Sequence, residues 1–494
     1  MTEILSRAAA LPRLVLSGGD AGDAGAARGR HIAFNVVVQL AARVLMMAMS
    51  VVTVSLTART LDPTGYGVWN GVSSYVGLFG VLTDVGLTMA ALQRMAAMPE
   101  QEAQWLAALA GTRIASSAIA LALCAATVPL FLHGPDHAQL VAYIMMATNV
   151  AVGATALTTV FESRLRAGLN SSLSVLQSFI WLGAVLGLAE TNGSVVAFAV
   201  ADTTLLLAIG LLQLKITRRY ARVAWREGLR LWKPLARAAL PLGLASIANS
   251  IYWQIDSFLL LRIAGASESG IYGAAYGFLS PLIFLPAAVM TSLYPVLSAV
   301  HARDPARTRR IVQLGLDAMA VIGLPVLAGT IALSDPIIHL MYGDEFARSA
   351  GLLPILMIAF VSICYGSLAG YMAPVLGLQW RLAAYAVTGA VANVILNLVL
   401  IPRYGAHGSA WATVITELLT MTLMLSTVLR RMRMAPSPWS ILRTVALAAA
   451  MVGVMDLAKP LGLLPAGTIG VLFYAAGLLV LRIVGRDQLR VLRG

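Results

Sequence analysis

The sequence predicts an all-α polytopic membrane protein of about fourteen transmembrane helices, and three observations carry that prediction. Of 494 residues, 59% are hydrophobic and only 12% charged, where soluble domains carry roughly 25% charged residues. The apolar residues fall in runs of about 20 or more, the length that crosses a hydrocarbon core of about 30 Å. Basic residues are distributed unevenly between alternate loops, as the positive-inside rule requires. A transmembrane barrel would instead show short segments of alternating hydropathy, and the mean hydropathy of +0.82 comes from continuous runs.

Fourteen spans are centred near residues 45, 80, 118, 149, 181, 204, 250, 285, 322, 362, 391, 419, 450 and 475. With the N-terminus inside, 28 of the 35 Lys and Arg fall on inside segments. Five fall outside (Arg59, Arg262, Arg348, Arg403 and Lys459), and Arg43 and Arg113 lie within spans. Both termini are therefore expected to be cytoplasmic. The net charge of +13 reads as topology, with some attraction to membrane lipid head groups, and not as a nucleic-acid footprint. Cys124 and Cys364 both sit in apolar spans and read as free thiols acting as small hydrophobes. No metal site or resident cofactor is expected.

In chain order, residues 1–30 mix Ala, Gly, Asp and Arg and read as a flexible cytoplasmic tail. The first span carries Asn35, Gln39 and Arg43 at a spacing of four, hence on one helical face, continued by Ser50, Thr53 and Thr57. Such a stripe faces helices or water in preference to lipid. Interhelical hydrogen bonding alone is the plainer alternative. Arg43, about a dozen residues inside the span and beyond snorkelling reach, favours a wet cavity. Span two ends in Asp84-Val85-Gly86-Leu87 and span three carries Arg113. Pairing of Arg43 and Arg113 with Asp84 and Asp202 as structural ion pairs is the alternative to a cationic cavity. The turn at His133–His137 reads as surface.

The basic stretch 215–236 reads as an amphipathic connector on the inner surface, dividing a first lobe, 31–214, from a second, 237–430. Span seven carries Asn249, Gln254 and Asp256. An acid that deep in an apolar run marks a bundle interior or wet cavity. Pro281, Pro286 and Pro295 are expected to bend span eight. Span eleven carries Asn393 and Asn397 on one face, and span twelve Thr413, Thr416, Glu417 and Thr420. Residues 431–494 add two plainer spans and a cytoplasmic C-terminus. The halves look related: Thr64-Gly65-Tyr66-Gly67 opens span two and Ser269-Gly270-Ile271-Tyr272-Gly273 opens span eight, six spans on. An even interval means parallel repeats about an axis along the membrane normal.

There is no P-loop, H-E-x-x-H or G-x-S-x-G motif, and the outside loops are short. A directly ATP-driven pump and an externally acting enzyme are both disfavoured, which leaves a transporter. Arg43 and Arg113, with Gln39, Asn35 and Asp84 nearby, are the substrate-binding candidates, because cations in a low-dielectric cavity suit a phosphate or carboxylate. Asp256, Asn393, Asn397, Thr413 and Glu417 are the cation-coupling candidates, suited to a small cation or a proton.

The run Gln254-Ile-Asp256-Ser-Phe-Leu-Leu…Gly270-Ile-Tyr272-Gly-Ala-Ala275-Tyr276…Leu293-Tyr294-Pro295-Val-Leu-Ser298 resembles the polysaccharide-biosynthesis flippases, the Wzx family. So do Asp84-x-Gly86-Leu87…Arg94, Tyr342-Gly343-Asp344-Glu345-Phe346 and Asn393-x3-Asn397-Leu-Val-Leu-Ile-Pro402-Arg403-Tyr404-Gly405-Ala406-x-Gly408. The likeness runs from about residue 31 to 430. That family shares a superfamily with the multidrug/toxin extruders and lipid II flippases. The resemblance implies two six-helix lobes in a V around a central cavity, with two further helices at the end. It implies an inner-membrane flippase moving an undecaprenyl-diphosphate-linked oligosaccharide from inner to outer leaflet by alternating access, for exopolysaccharide, O-antigen or capsule. A polysaccharide polymerase and a chain-length regulator are further candidate partners. Arg43 resembles a first-helix arginine of the lipid II flippases that is implied to bind diphosphate. Asp256, Asn393, Asn397 and Thr413 fall on the spans that form a sodium site in those relatives. Asn397 stands where an acid would strengthen such a site, and Na+, H+ or uncoupled operation all stay open. Efflux of small cationic drugs, and a non-transporting role in a polysaccharide assembly complex, are the alternatives.

Overall fold

The computed structural model describes residues 22–132, 137–159, 168–220, 223–481 and 483, with side chains described from Leu45 onward apart from 152, 154, 168–171, 218–220 and 245. Of the tail expected over residues 1–30, residues 1–21 lie outside the described residues and 22–30 are instead the first turns of a helix. The turn at 133–136 and the side chains of Asn35, Gln39 and Arg43 also lie outside the described residues.

All regular structure among the described residues is helical, and eleven segments are long and apolar enough to cross a membrane. Two of these are hairpins. The 59-residue helix Gly22–Gly80 would be about 90 Å long if straight, several times what a membrane needs. It breaks at Asp62, where φ is 57° and ψ 176°. There Asp62 Oδ1 accepts from the backbone N–H of Thr64 at 2.6 Å and of Gly65 at 2.9 Å, with Pro63 following. An Asp N-cap with proline at the first helical position stops one helix and starts the next. Gln379–Met432 turns back at Gly405 in the same way. Ser409 Oγ donates to Asn397 Oδ1 at 2.8 Å, a pair that a straight helix would hold about 18 Å apart. Counting both limbs of each hairpin, and adding Trp232–Ile263 of 32 residues, gives the fourteen spans expected.

Span eight divides into Ala266–Leu282 and Phe284–His301. Pro286 lacks the N–H that would bond to Leu282 and its ring crowds that carbonyl, so the break falls one turn before it. Span nine, Pro305–Tyr342, kinks at Leu333 (φ −122°, ψ 17°), three residues before Pro336.

Packing separates three regions. The largest core joins both lobes and buries Tyr75, Tyr272, Tyr342, Phe346 and Phe360. A second, around Leu87, Trp105, Leu106 and Leu235, ties the inner ends of spans two, three and seven together. A third packs Met451, Met455 and Tyr474 of the last two helices, Pro438–Ala458 and Leu463–Val480, against Ala328 and Leu333 of span nine. The last pair is thus an appendage of the second lobe.

Candidate functional site

The hairpin of spans eleven and twelve builds the most developed polar site. Its two limbs bring Asn393, Asn397, Ser409 and Thr413 to one point, and span seven brings Asp256 to face them. One Asp256 oxygen, Oδ1, accepts from Asn397 Nδ2 at 2.7 Å. The other, Oδ2, accepts from Tyr272 Oη at 3.0 Å and Thr413 Oγ1 at 2.9 Å. Asn397 Nδ2 also donates to Asn393 at its backbone oxygen (2.9 Å) and at Oδ1 (3.2 Å). Asp256 is 4% exposed and Asn393, Asn397, Ser409 and Tyr272 are buried. A buried carboxylate is costly unless it is hydrogen-bonded or its charge is neutralised. Here it has three donors, and no salt bridge to it occurs among the described residues.

The oxygens of Asp256, Asn393 and Thr413 are of the kind a hard cation takes, and to that extent the residues fit one. Asn397 points its NH2 into the centre. For a cation to enter, that amide must turn and present Oδ1, which Ser409 permits because its hydroxyl can accept as well as donate.

Glu417 is on the same helix as Thr413, one turn further in, and does not join this cluster. It lines a neighbouring cavity of about 290 Å³ with Asn249, Tyr252, Ser367, Tyr385 and Thr420. In the first lobe, Arg113 and Asp84 meet each other. Arg113 Nε is 4.0 Å from Asp84 Oδ1, and Nη1 is 3.4 Å from Thr88 Oγ1. Asp84 Oδ1 in turn accepts from Thr88 N at 2.9 Å and Thr88 Oγ1 at 2.7 Å, capping the helix Leu87–Ala97 that prolongs span two. The contact joins one arginine and one acid of the four residues named for structural ion pairs, across spans two and three.

Three functional contacts escape sequence reasoning. Tyr272 reaches Asp256 sixteen residues away, although it stands in the repeated Gly/Tyr motif that could have drawn attention to it. Ser409 orients Asn397 and carries no local signal. Arg59, assigned only to an outside turn, bridges the lobes. Its guanidinium donates to the oxygens of Met341 (Nε, 2.9 Å), Leu340 and His339 at the end of span nine, and Ser55 Oγ also donates to Met341 O. Cations suit a helix C-terminus, where carbonyls lack intrahelical partners.

The lobes meet along span two. At its outer end a Cβ placed on Gly67 would lie 1.7 Å from Ala266 O, and one on Gly270 would lie 1.9 Å from Pro63 O. Only glycine lets these two backbones touch. Further along, Gly77 packs on Gln254, and at the inner end Gly86 packs on Leu242 and Gly243 of span seven. Span eight belongs to both features: Gly270 and Gly273 face span two, while Tyr272 between them holds Asp256.

Two helical lobes joined along a glycine-lined seam, with a buried acid beside it, define a multi-pass membrane transporter. The chain belongs to the polysaccharide biosynthesis protein family, which matches residues 32–301, and residues 241–399 also match the MatE family. Among similar proteins is the "Probable low-salt glycan biosynthesis flippase Agl15" of Haloferax volcanii, 21% identical over 74% of this chain and 76% of that one. The "Succinoglycan biosynthesis transport protein ExoT" of Rhizobium meliloti is 25% identical over 62% of each. The "Probable flippase AglR" of Haloferax volcanii is 30% identical over 36% of this chain, and the matched stretch spans only 38% of that relative's length. Of solved structures, "Lipid II flippase MurJ, inward closed conformation" superposes with a TM-score of 0.78 at 13% identity, covering 90% of this chain and 99% of that one. An inward-facing multidrug resistance MATE family transporter superposes with a TM-score of 0.62 at 15% identity, covering 80% of this chain and 98% of that one. At such identities the likeness is one of fold.

Proposed function

We propose that this protein is a flippase of polysaccharide biosynthesis, moving an undecaprenyl-diphosphate-linked oligosaccharide from the inner to the outer leaflet of a bacterial inner membrane by alternating access, with both termini cytoplasmic. Family membership and the names of its relatives support the substrate class. The observation that carries the mechanism is the position of Tyr272. It donates to Asp256 and lies between the glycines that close the lobes on each other. Neutralising Asp256 with a proton or a sodium ion weakens its hold on Tyr272 and Thr413, and so alters the helix that forms the seam. Opening and ion occupancy are thereby linked, each biasing the other.

Asp256, Asn393 and Thr413 would hold the ion, with Asn397 turning to complete the oxygen set. Arg43 is the candidate for the diphosphate. The lipid tail would stay in the bilayer, and an apolar groove of about 750 Å³ between the second lobe and its last two helices, lined by Phe278, Val321, Met451 and Tyr474 among others, offers it a path. A polymerase and a chain-length regulator would act on the delivered unit.

The test is Arg43→Ala in cells that depend on this gene for polymer. Polymer export should be lost while the protein reaches the membrane at its usual level. Normal polymer yield would remove Arg43 from the substrate path. Drug resistance on overexpression without any effect on polymer would favour the multidrug reading.

A further inference from the structure

The inner flank of the first lobe carries an apolar cavity that the transport reading does not use. It has a volume of about 530 Å³ and is lined by Ile114 and Ala118 of span three, Val150 of span four, Leu214 of span six, and Val223 and Trp225 of the connector. Cavities of that volume hold ligands of drug size. Ile114 is 57% and Val150 48% exposed, so the cavity opens sideways on an apolar flank, where a membrane-spanning bundle meets lipid. Its lining includes Ser117, buried, with no hydrogen-bond partner for Oγ among the described residues.

The connector is fixed against the lobe. Ala224 N donates to Ala103 O at 3.2 Å, Gln104 Nε2 donates to Glu227 Oε2 at 2.7 Å, and a Cβ on Gly228 would strike Ala107. Beyond these anchors three of its large apolar side chains, Trp225, Leu229 and Trp232, are exposed, and Lys233 lies over the Trp232 ring at 5.4 Å. Exposed tryptophans beside basic residues are the signature of a segment seated in a membrane interface. Two basic residues adjoin lining residues along the chain. Lys215 follows lining residue Leu214, Arg226 follows lining residue Trp225, and both are exposed. The one acid of the helix Trp225–Gly228, Glu227, is engaged by Gln104.

We propose that this cavity is a binding site for an anionic phospholipid of the inner leaflet. One acyl chain lies along Ile114, Ala118 and Val150, and the phosphate sits between Lys215 and Arg226. The apolar lining provides depth and the two cations select the charge, as basic pockets on the cytoplasmic side of membrane proteins do for anionic head groups. Because the connector links the lobes, an occupied site braces it against the first lobe.

The test is native mass spectrometry of the full-length protein, released from detergent with added phosphatidylglycerol or phosphatidylcholine of matched chains. Phosphatidylglycerol should remain bound at collision energies that strip phosphatidylcholine. Lys215→Gln/Arg226→Gln should remove that preference, and Ala118→Phe, which fills the cavity, should remove the retained lipid. Arg303→Gln/Arg310→Gln, which removes two charges from another inside loop, should leave both unchanged. Equal retention of the two lipids overturns the proposal. So does an unchanged preference in the charge variant, or the same loss in the control. Should Ala118→Phe fail to run as a monodisperse species, the charge variant and its control decide the matter alone.

Discussion

Replacing Gly270 with alanine should open the outer seam. Its Cβ would lie 1.9 Å from Pro63 O, where contacts under 3.0 Å essentially never occur, so the helices must separate by at least 1.1 Å. The obstacle is backbone on both sides, span eight against the turn that starts span two, so no side chain can swing away. Overpacking of this kind costs about 1–3 kcal/mol. If it falls on the closed state alone, the ratio of open to closed rises by about 5- to 150-fold. The assay is labelling of Asn70→Cys by a membrane-impermeant maleimide added outside. Asn70 sits behind the seam, against Gly273, and its Nδ2 lies 3.4 Å from Ser269 O. The native thiols Cys124 and Cys364 are both buried and give little background. Labelling should accelerate by at least about 5-fold in Gly270→Ala over the parent. An unchanged labelling rate in a folded Gly270→Ala protein would refute the claim that this contact closes the outer side.

Two further predictions concern the Asp256 cluster and one the contact between the lobes. Asp256→Asn keeps the shape of the cluster while removing its charge, and should lower leaflet exchange by 10-fold or more while the thermal midpoint holds or rises; measured exchange equal to the parent would leave Asp256 a purely structural residue. Asn397→Leu removes the donor to Asp256 Oδ1 and strands Ser409 and Asn393. It should destabilise the protein by about 1–3 kcal/mol, read as a lowered midpoint in a detergent thermal melt, and an unshifted midpoint would contradict the hydrogen-bond account. Arg59→Ala removes an exposed bridge between lobes. Exposed charge contacts contribute about 0.3–1 kcal/mol, so Asn70→Cys labelling should rise by less than about 5-fold, well short of Gly270→Ala.

How much of this was legible in the sequence depended on whether the signal was local. The spans could be read because apolar length acts within a few residues. Asn393 and Asn397 announce a shared face by their spacing of four, and Asp256 announces itself by its cost in an apolar run. That these meet, and that Thr413 meets them, depends on the reversal at Gly405, a tertiary fact. Glu417 shows the limit: by periodicity it belongs with Thr413, yet one helical turn of about 5.4 Å places it on a different cavity. Tyr272, Ser409 and Arg59 act across 12 to 282 residues of sequence, and no pattern within one helix encodes their partners. The repeat of Gly65-Tyr66-Gly67 in Gly270-Ile271-Tyr272-Gly273 was visible as a likeness between halves. Its physical meaning, two helix starts pressed backbone to backbone, required the structure.

Whether this chain carries lipid-linked sugar across a bilayer is measured with the purified protein in liposomes. Vesicles would hold a fluorescent undecaprenyl-diphosphate oligosaccharide in both leaflets, and an impermeant reagent would quench the outer one. With the protein present, quenching should proceed past the outer-leaflet fraction towards completion, and Arg43→Ala should stop it at that fraction. Quenching that halts at the outer-leaflet fraction with the folded parent protein, as in protein-free vesicles, would mean that the protein does not flip this lipid.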